Sequence, residues 1–144
     1  MTAAPAAEIK ITANEFFLGL FSALKLQGQD AFSIRADRFD AAIKEIYEKA
    51  PDLPGGDHVS LAFRIRPHQI YGDSRTVRRA LTAAAQRRVI SFDNPEYLDI
   101  RIQLDELDAD RKLRRLGAPQ GFFDGVADEF LRAYRQRRDP AAVH

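Results

Sequence analysis

The period of the hydrophobic pattern changes at Val89, and this change constrains the fold more than any other feature of the chain. Upstream of it, Val77, Leu81 and Ala84 recur at spacings of four and three, which places them on one face of a helix. Downstream, apolar and polar residues alternate from residue 98 to residue 103, which is the period of a strand with one buried face. The pattern therefore predicts a helix that leads directly into a β-hairpin.

Local signals mark the ends of these elements. Asp73 or Ser74 can cap the first turn of the helix, and Gly72 just before them lets the chain change direction. The run Val89–Phe92 is rich in strand formers, and the four residues Asp93–Glu96 have the composition of a turn. Both strands of the hairpin and the helix before it are therefore predicted between residues 71 and 102.

The polar face of this helix is the candidate binding site. Its members stand at helical spacing and are Arg75, Arg78, Arg79, Thr82 and Gln86. Arginine recognises guanine and glutamine recognises adenine in the major groove of DNA, and the alanines between these residues would allow a close approach. The face predicts DNA binding. The alternative is that it is the ordinary solvated side of an amphipathic helix, because a charge pattern specifies little by itself.

Four further arginines are expected to contact phosphates. Arg64 and Arg66 lie on one exposed face of a predicted strand, Val59–Arg66, and Arg87 and Arg88 directly follow the basic helix. The alternative for Arg64 and Arg66 is an ordinary charged outer face, which the pattern favours slightly over phosphate contact. The hairpin carries three acids, Asp93, Glu96 and Asp99, and their negative charge argues against contact between the hairpin and the DNA backbone.

The order of elements predicts an α+β, mainly helical fold with a winged-helix-like centre. The elements expected before the basic helix are a helix from Thr12 or Asn14 to before Gly28, a strand at Ala31–Ile34, a helix from Ala36 or Asp37 to about Lys49, and the strand Val59–Arg66. A helix followed by a hairpin, with other helices before it, is the order of a winged helix-turn-helix with its small three-stranded sheet. The strand Val59–Arg66 departs from the minimal version, so another α+β fold remains open.

The chain is expected to divide into three segments. They are a flexible tail at 1–11, the winged-helix-like domain at 12–103 and a C-terminal helical extension at 104–138. In the extension, Asp105 or Asp108 begins a helix that Gly117 ends, and Pro119 opens a second helix that reaches about Arg137. We expect a homodimer through the broad aromatic face of the first or the last helix, and the alternative is that these faces close the core of a single chain.

Charge is segregated along the chain although the net charge is only +1. The segment Val59–Arg88 holds seven arginines against one aspartate, a net charge of +6, and Val89–Asp110 holds seven acids against one arginine, a net charge of −6. Such a surface suits a polyanion, a protein partner or self-association. The second functional hypothesis is therefore a protein-protein interaction module, an adaptor or inhibitor that docks through its opposite patches.

The residue types present argue against several other functions. The chain has no cysteine, no paired-histidine motif and no glycine-rich phosphate loop, so no metal or cofactor is expected. His68 lies near arginines and Tyr71 and could support chemistry on a phosphodiester, but a polar loop histidine explains it as well, and no enzyme is expected. The apolar run Phe16–Leu24 is too short to span a bilayer, so we expect a cytoplasmic protein without a membrane partner.

Overall fold

The computed structural model describes residues 9–33, 38–63, 75–92, 99–119 and 121–136. The helices in these ranges are α1 (Ala13–Leu26), α2 (Arg38–Lys49), α3 (Arg75–Gln86), α4 (Glu106–Leu116) and α5 (Phe122–Gln136). The strands are β1 (Ile9–Ile11), β2 (Ala31–Ser33), β3 (Val59–Leu61), β4 (Ile90–Phe92) and β5 (Asp99–Ile102). The α+β, mainly helical class expected from the sequence is confirmed.

Helix α1 begins with a reciprocal pair of side-chain caps. Thr12 Oγ1 accepts a hydrogen bond from the backbone N–H of Glu15 at 3.2 Å, and Glu15 Oε1 accepts one from the backbone N–H of Thr12 at 2.9 Å. These bonds satisfy two of the donors that a helix start leaves without a partner. After the helix, Gly28 adopts a φ of +83°, a conformation that suits glycine.

The aromatic residues of α1 form the centre of the hydrophobic core. Phe16, Phe17 and Phe21 are fully buried, and the helix packs against α4, α3 and α5. The rings of Phe17 and Phe21 stack on Phe39 of α2, with ring centroids 6.4 and 6.5 Å apart. Phe39 in turn meets Phe130 of α5 edge to face at 5.5 Å. A single core therefore joins helices from both ends of the chain.

A three-stranded antiparallel sheet covers one side of this core. Its strand order is β2, β5, β4, with Phe32 and Phe92 both opposite Ile100, and Ile90 opposite Ile102. Phe32, Ile90, Ile100 and Ile102 are buried on the inner face. The hairpin expected after the basic helix is present as β4 and β5, and β2 is the third strand of the sheet.

The strand β3 is shorter than the sequence predicts, and the structure identifies its partner, which the order of elements leaves open. It was expected to extend from Val59 to Arg66, but β3 ends at Leu61, and both Arg64 and Arg66 lie outside the described residues. It pairs in parallel with β1, with Ile11 opposite Leu61, and not with the hairpin. Ile11 is 1% exposed, so this pairing also corrects the expectation of a flexible tail through residue 11.

The C-terminal helices α4 and α5 pack onto the rest of the chain. Asp105 Oδ1 caps α4 by accepting a hydrogen bond from the backbone N–H of Asp108 at 2.7 Å, and Gly117 ends the helix with a φ of +68°. Two adjacent rows on α5 are buried: Phe122, Phe123, Val126, Ala127, Phe130, Leu131 and Ala133. Because these rows and the aromatic face of α1 are covered within one chain, a homodimer would need another surface.

Candidate nucleic-acid interface

Helix α3 is held to the core by one apolar face. Val77, Ala80 and Leu81 are 1 to 2% exposed and Ala84 is 8% exposed. This face packs against α1, and the C-terminal end of the helix leads within a few residues to β4. The burial fixes the rotation of α3 about its axis, so the opposite side of the helix must face outward.

The polar residues predicted for binding lie on that outward side. Arg78, Arg79, Thr82 and Gln86 are all exposed. Arg75 is the first residue of α3, and its side chain is outside the described part of the structure. The Thr82 hydroxyl donates to the carbonyl oxygen of Arg78 at 3.0 Å. The helix itself contains no acidic residue.

The end of α3 places two more arginines beside this face. Arg87 and Arg88 are exposed, and Arg88 adopts a φ of +62°. Arg88 N–H donates to the carbonyl oxygen of Ala85 at 3.1 Å, and Val89 N–H donates to that of Ala84 at 2.9 Å. This pair of bonds is the Schellman helix ending, in which the left-handed position is usually glycine. An arginine therefore occupies a position where a side chain costs conformational energy.

A groove separates α3 from the end of β4. Its volume is about 460 Å³, and the described residues that line it are Arg78, Leu81, Thr82, Ala85, Gln86 and Phe92. The sequence did not single out the apolar members of this lining. The sequence places Leu81 only on the buried face of the helix and Phe92 only in the run of strand formers Val89–Phe92, which equally suits a strand residue that packs in the core.

The structure does not describe the positions of the other candidate residues. His68 and the turn acids Asp93 and Glu96 lie outside the described residues, as do Arg64 and Arg66. No group of three or more potential metal ligands occurs among the residues whose positions are described. In the same part of the chain, none of the helices has the length and apolar character needed to cross a bilayer.

The chain was compared with known proteins by sequence and by structure. No protein-family model matches it, and neither the curated proteins nor the solved structures contain a match. The geometry of α3 and its surroundings is therefore what carries the functional argument.

Proposed function

We propose that this protein is a DNA-binding regulatory protein that inserts α3 into the major groove. The observation that carries the proposal is the outward face of α3, where Arg78, Arg79, Thr82 and Gln86 are exposed on a helix without acids. A helix of twelve residues is about 18 Å long, which suits a groove about 12 Å wide. Each bidentate contact to a base edge would contribute about 1–3 kcal/mol of sequence discrimination.

The strand order supports a winged-helix-like centre. The elements α1, β2, α2, α3, β4 and β5 follow the chain in the order of a winged helix, and the sheet order β2, β5, β4 places the hairpin beside the strand that precedes α2. In this arrangement α3 is the recognition helix and the connection between β4 and β5 is the wing. The pair of β1 and β3 is an addition to that centre.

Arginines around α3 would contact the phosphates. Arg87 and Arg88 are exposed at its C-terminal end. The sequence assigns phosphate contacts to Arg64 and Arg66 as well, and a contact in the groove to Arg75. The strained conformation of Arg88 supports this assignment, because glycine would satisfy the helix ending at lower cost. Homodimer formation belongs to the proposal as well, through a surface other than the buried aromatic rows.

The test is binding of the purified protein to mixed genomic DNA fragments across a salt series, with the mass in solution measured under the same conditions. Tight, salt-dependent binding that enriches particular fragments supports a regulator. On an enriched fragment, Gln86→Ala should relax the sequence preference, and Arg79→Gln should weaken binding while reducing the salt slope by about 1.

The matched control is Arg115→Gln, which removes the same charge from an exposed position on α4. It should leave DNA affinity nearly unchanged, since the proposal assigns no contact to α4. If the folded wild-type protein binds no DNA at low salt, the proposal fails. The protein-protein interaction module then becomes the better explanation. Leu107 favours that candidate, because it is 60% exposed between the exposed acids Glu106 and Asp108.

A further inference from the structure

The buried residues of α3 define which of its side chains point most directly away from the core. Successive residues of an α-helix are about 100° apart around the axis, because each turn contains 3.6 residues. The buried face is formed by Val77, Ala80, Leu81 and Ala84. Arg79, Thr82 and Gln86 lie within about 30° of the direction opposite to the middle of that face, and all three are exposed. This central row would be the first part of α3 to meet the floor of a groove.

Two residues flank the central row on either side. Arg78 and Ala83 each lie about 70° from the middle of the row, in opposite directions around the axis. The small side chain of Ala83 allows the helix to approach a groove closely on its side. Arg78 points towards the wall of the groove, where the phosphates are, and not towards its floor. Base contacts are therefore expected from the central row alone.

The side chains of the central row are long at both ends and short in the middle. The guanidinium of Arg79 can donate two hydrogen bonds to O6 and N7 of guanine, and the amide of Gln86 can pair with N6 and N7 of adenine. Thr82 is shorter, and its hydroxyl hydrogen is already donated to the carbonyl oxygen of Arg78 at 3.0 Å, so it cannot also donate to a base. Discrimination between bases should come from the two ends of the row.

The length of the row determines how far apart the two bases lie. Arg79 and Gln86 are seven residues apart, which is about 10 Å along the helix axis. Three residues at similar spacing on the recognition helix of a zinc finger contact three successive bases. By the same geometry, Arg79 and Gln86 would lie over the first and the third of three successive base pairs.

We propose that Arg79 reads a G·C pair and Gln86 reads an A·T pair, separated by one base pair that Thr82 leaves unselected. This inference rests on the proposed DNA binding and names the bases that it recognises. The guanine and the adenine can lie on one strand or on opposite strands, because the major groove presents both bases of every pair. In a homodimer, each half-site would contain one such triplet.

The test is selection of bound duplexes from a random-sequence DNA library by the full-length protein, followed by sequencing. The wild type should enrich duplexes in which a G·C pair and an A·T pair flank one variable base pair. In an enriched duplex, replacement of either selected pair should weaken binding about ten-fold. Replacement of the pair between them should change the affinity by less than about two-fold, because no side chain reads it.

Two substitutions exchange the residues that read the bases. Gln86→Arg should change the selected A·T pair to G·C, and Arg79→Gln should change the selected G·C pair to A·T, each without an effect on the other position. Both residues are exposed, so the fold should be kept, which circular dichroism would show. Arg115→Gln, at an exposed position on α4, is the control and should enrich the same duplexes as the wild type.

The possible outcomes distinguish this inference from the proposed function. If the folded wild type binds no duplex at low salt, both are wrong. Binding without sequence preference, or a preference that either variant leaves unchanged, would overturn the assignment of bases while DNA binding itself stands. Changes at two adjacent base pairs, or at two pairs separated by more than one, would contradict the spacing.

Discussion

The hydroxyl of Tyr134 on α5 binds both backbone polar groups of Ser33 on β2. It accepts a hydrogen bond from Ser33 N–H at 2.8 Å and donates one to the Ser33 carbonyl oxygen at 3.0 Å. β2 is an edge strand of the three-stranded sheet, and edge strands leave such groups open to other chains. One side chain of the last helix therefore closes part of a sheet edge near the other end of the chain.

Tyr134→Phe should lower the free energy of unfolding by about 1–2 kcal/mol, because it removes two hydrogen bonds and keeps the ring against Phe32 and Phe130. Urea denaturation would measure the change. Tyr47→Phe is the matched control, since the Tyr47 hydroxyl makes a single bond at 3.0 Å to the carbonyl oxygen of Phe63. If Tyr47→Phe lowered the free energy of unfolding more than Tyr134→Phe, the two hydrogen bonds from Tyr134 to the sheet edge would not be important for stability.

Gly19→Ala should destabilise the protein although alanine is the better helix former. A Cβ at Gly19 would lie 2.3 to 2.6 Å from three ring carbons of Phe123. The gain in helix propensity is about 1 kcal/mol, and overpacking of a tight core costs about 1–3 kcal/mol. We therefore expect a net loss of up to about 2 kcal/mol in the free energy of unfolding.

A double-mutant cycle with Phe123→Leu tests the cause of that loss. The smaller side chain should leave room for the alanine, so the double variant should be more stable than the sum of the single changes by at least about 0.5 kcal/mol. Additive effects of the two substitutions would show that the ring of Phe123 is not what excludes a side chain at residue 19.

Ser22→Ala, one turn further along α1, should have the opposite effect. Ser22 is fully buried, and its hydroxyl oxygen has no hydrogen-bond partner within the described part of the structure. Removing a buried hydroxyl without a partner and placing alanine in a helix both favour the folded state, by about 1 kcal/mol together. Thermal unfolding of the variant should show a higher melting temperature. If the free energy of unfolding of the variant were instead lower by more than about 1 kcal/mol, the Ser22 hydroxyl would form a hydrogen bond in solution.

The sequence contained the signals for the elements that depend on local chemistry. The start of α1 could be predicted because Thr12 and Glu15 are three residues apart and bind each other, and the hairpin because its period differs from that of α3. Pairing of β1 with β3 could not be predicted, since short parallel strands far apart in sequence carry no mark of their partner.

The candidate site was predictable in the same unequal way. The outward position of Arg79 and Gln86 follows from helical spacing against Val77 and Leu81. The groove could not be predicted in this way, because it depends on how far β4 lies from α3. The left-handed backbone of Arg88 could not be predicted either, because it occurs without the glycine that usually signals it. In the helix interior, Gly19 gave no hint of the distant ring that excludes a side chain there.

An ion-pair cluster between α2 and α5 should make the free energy of unfolding depend on pH in the acid range. Lys49 Nζ lies 2.7 Å from Glu129 Oε1, and Glu129 also forms an ion pair with Arg132. Arg132 Nη2 in turn lies 3.3 Å from Glu45 Oε1. The hydrogen bond from Arg132, followed by that from Lys49, lowers the pKa of Glu129 to about 2 against the opposing effect of burial. Because this folded-state pKa lies below the ordinary value of 4.5, the contribution to stability is complete above pH 4.5 and is lost as the pH falls towards 2.

Glu129→Gln should therefore reduce the free energy of unfolding by about 2 kcal/mol at neutral pH. The loss is smaller than the full pKa difference implies, because Lys49 and Arg132 are 44% and 42% exposed and solvent screens them. Denaturation at several pH values between 2.5 and 7 should show the wild type and the variant converging at the acid end. A constant difference across that range would mean that the charge of Glu129 does not stabilise the fold.

Arg88→Gly should separate the cost of the backbone conformation at Arg88 from its function. Glycine adopts a φ of +62° without a Cβ penalty, so the variant should be more stable by about 0.5–1 kcal/mol in urea denaturation. If Arg88 contacts a phosphate, the same variant should bind DNA more weakly, and its salt slope should fall by about 1. Arg88→Lys, which keeps both the charge and the strained backbone, should change neither property greatly. Higher stability with unchanged DNA binding would remove Arg88 from the interface and leave its strained conformation without a functional reason.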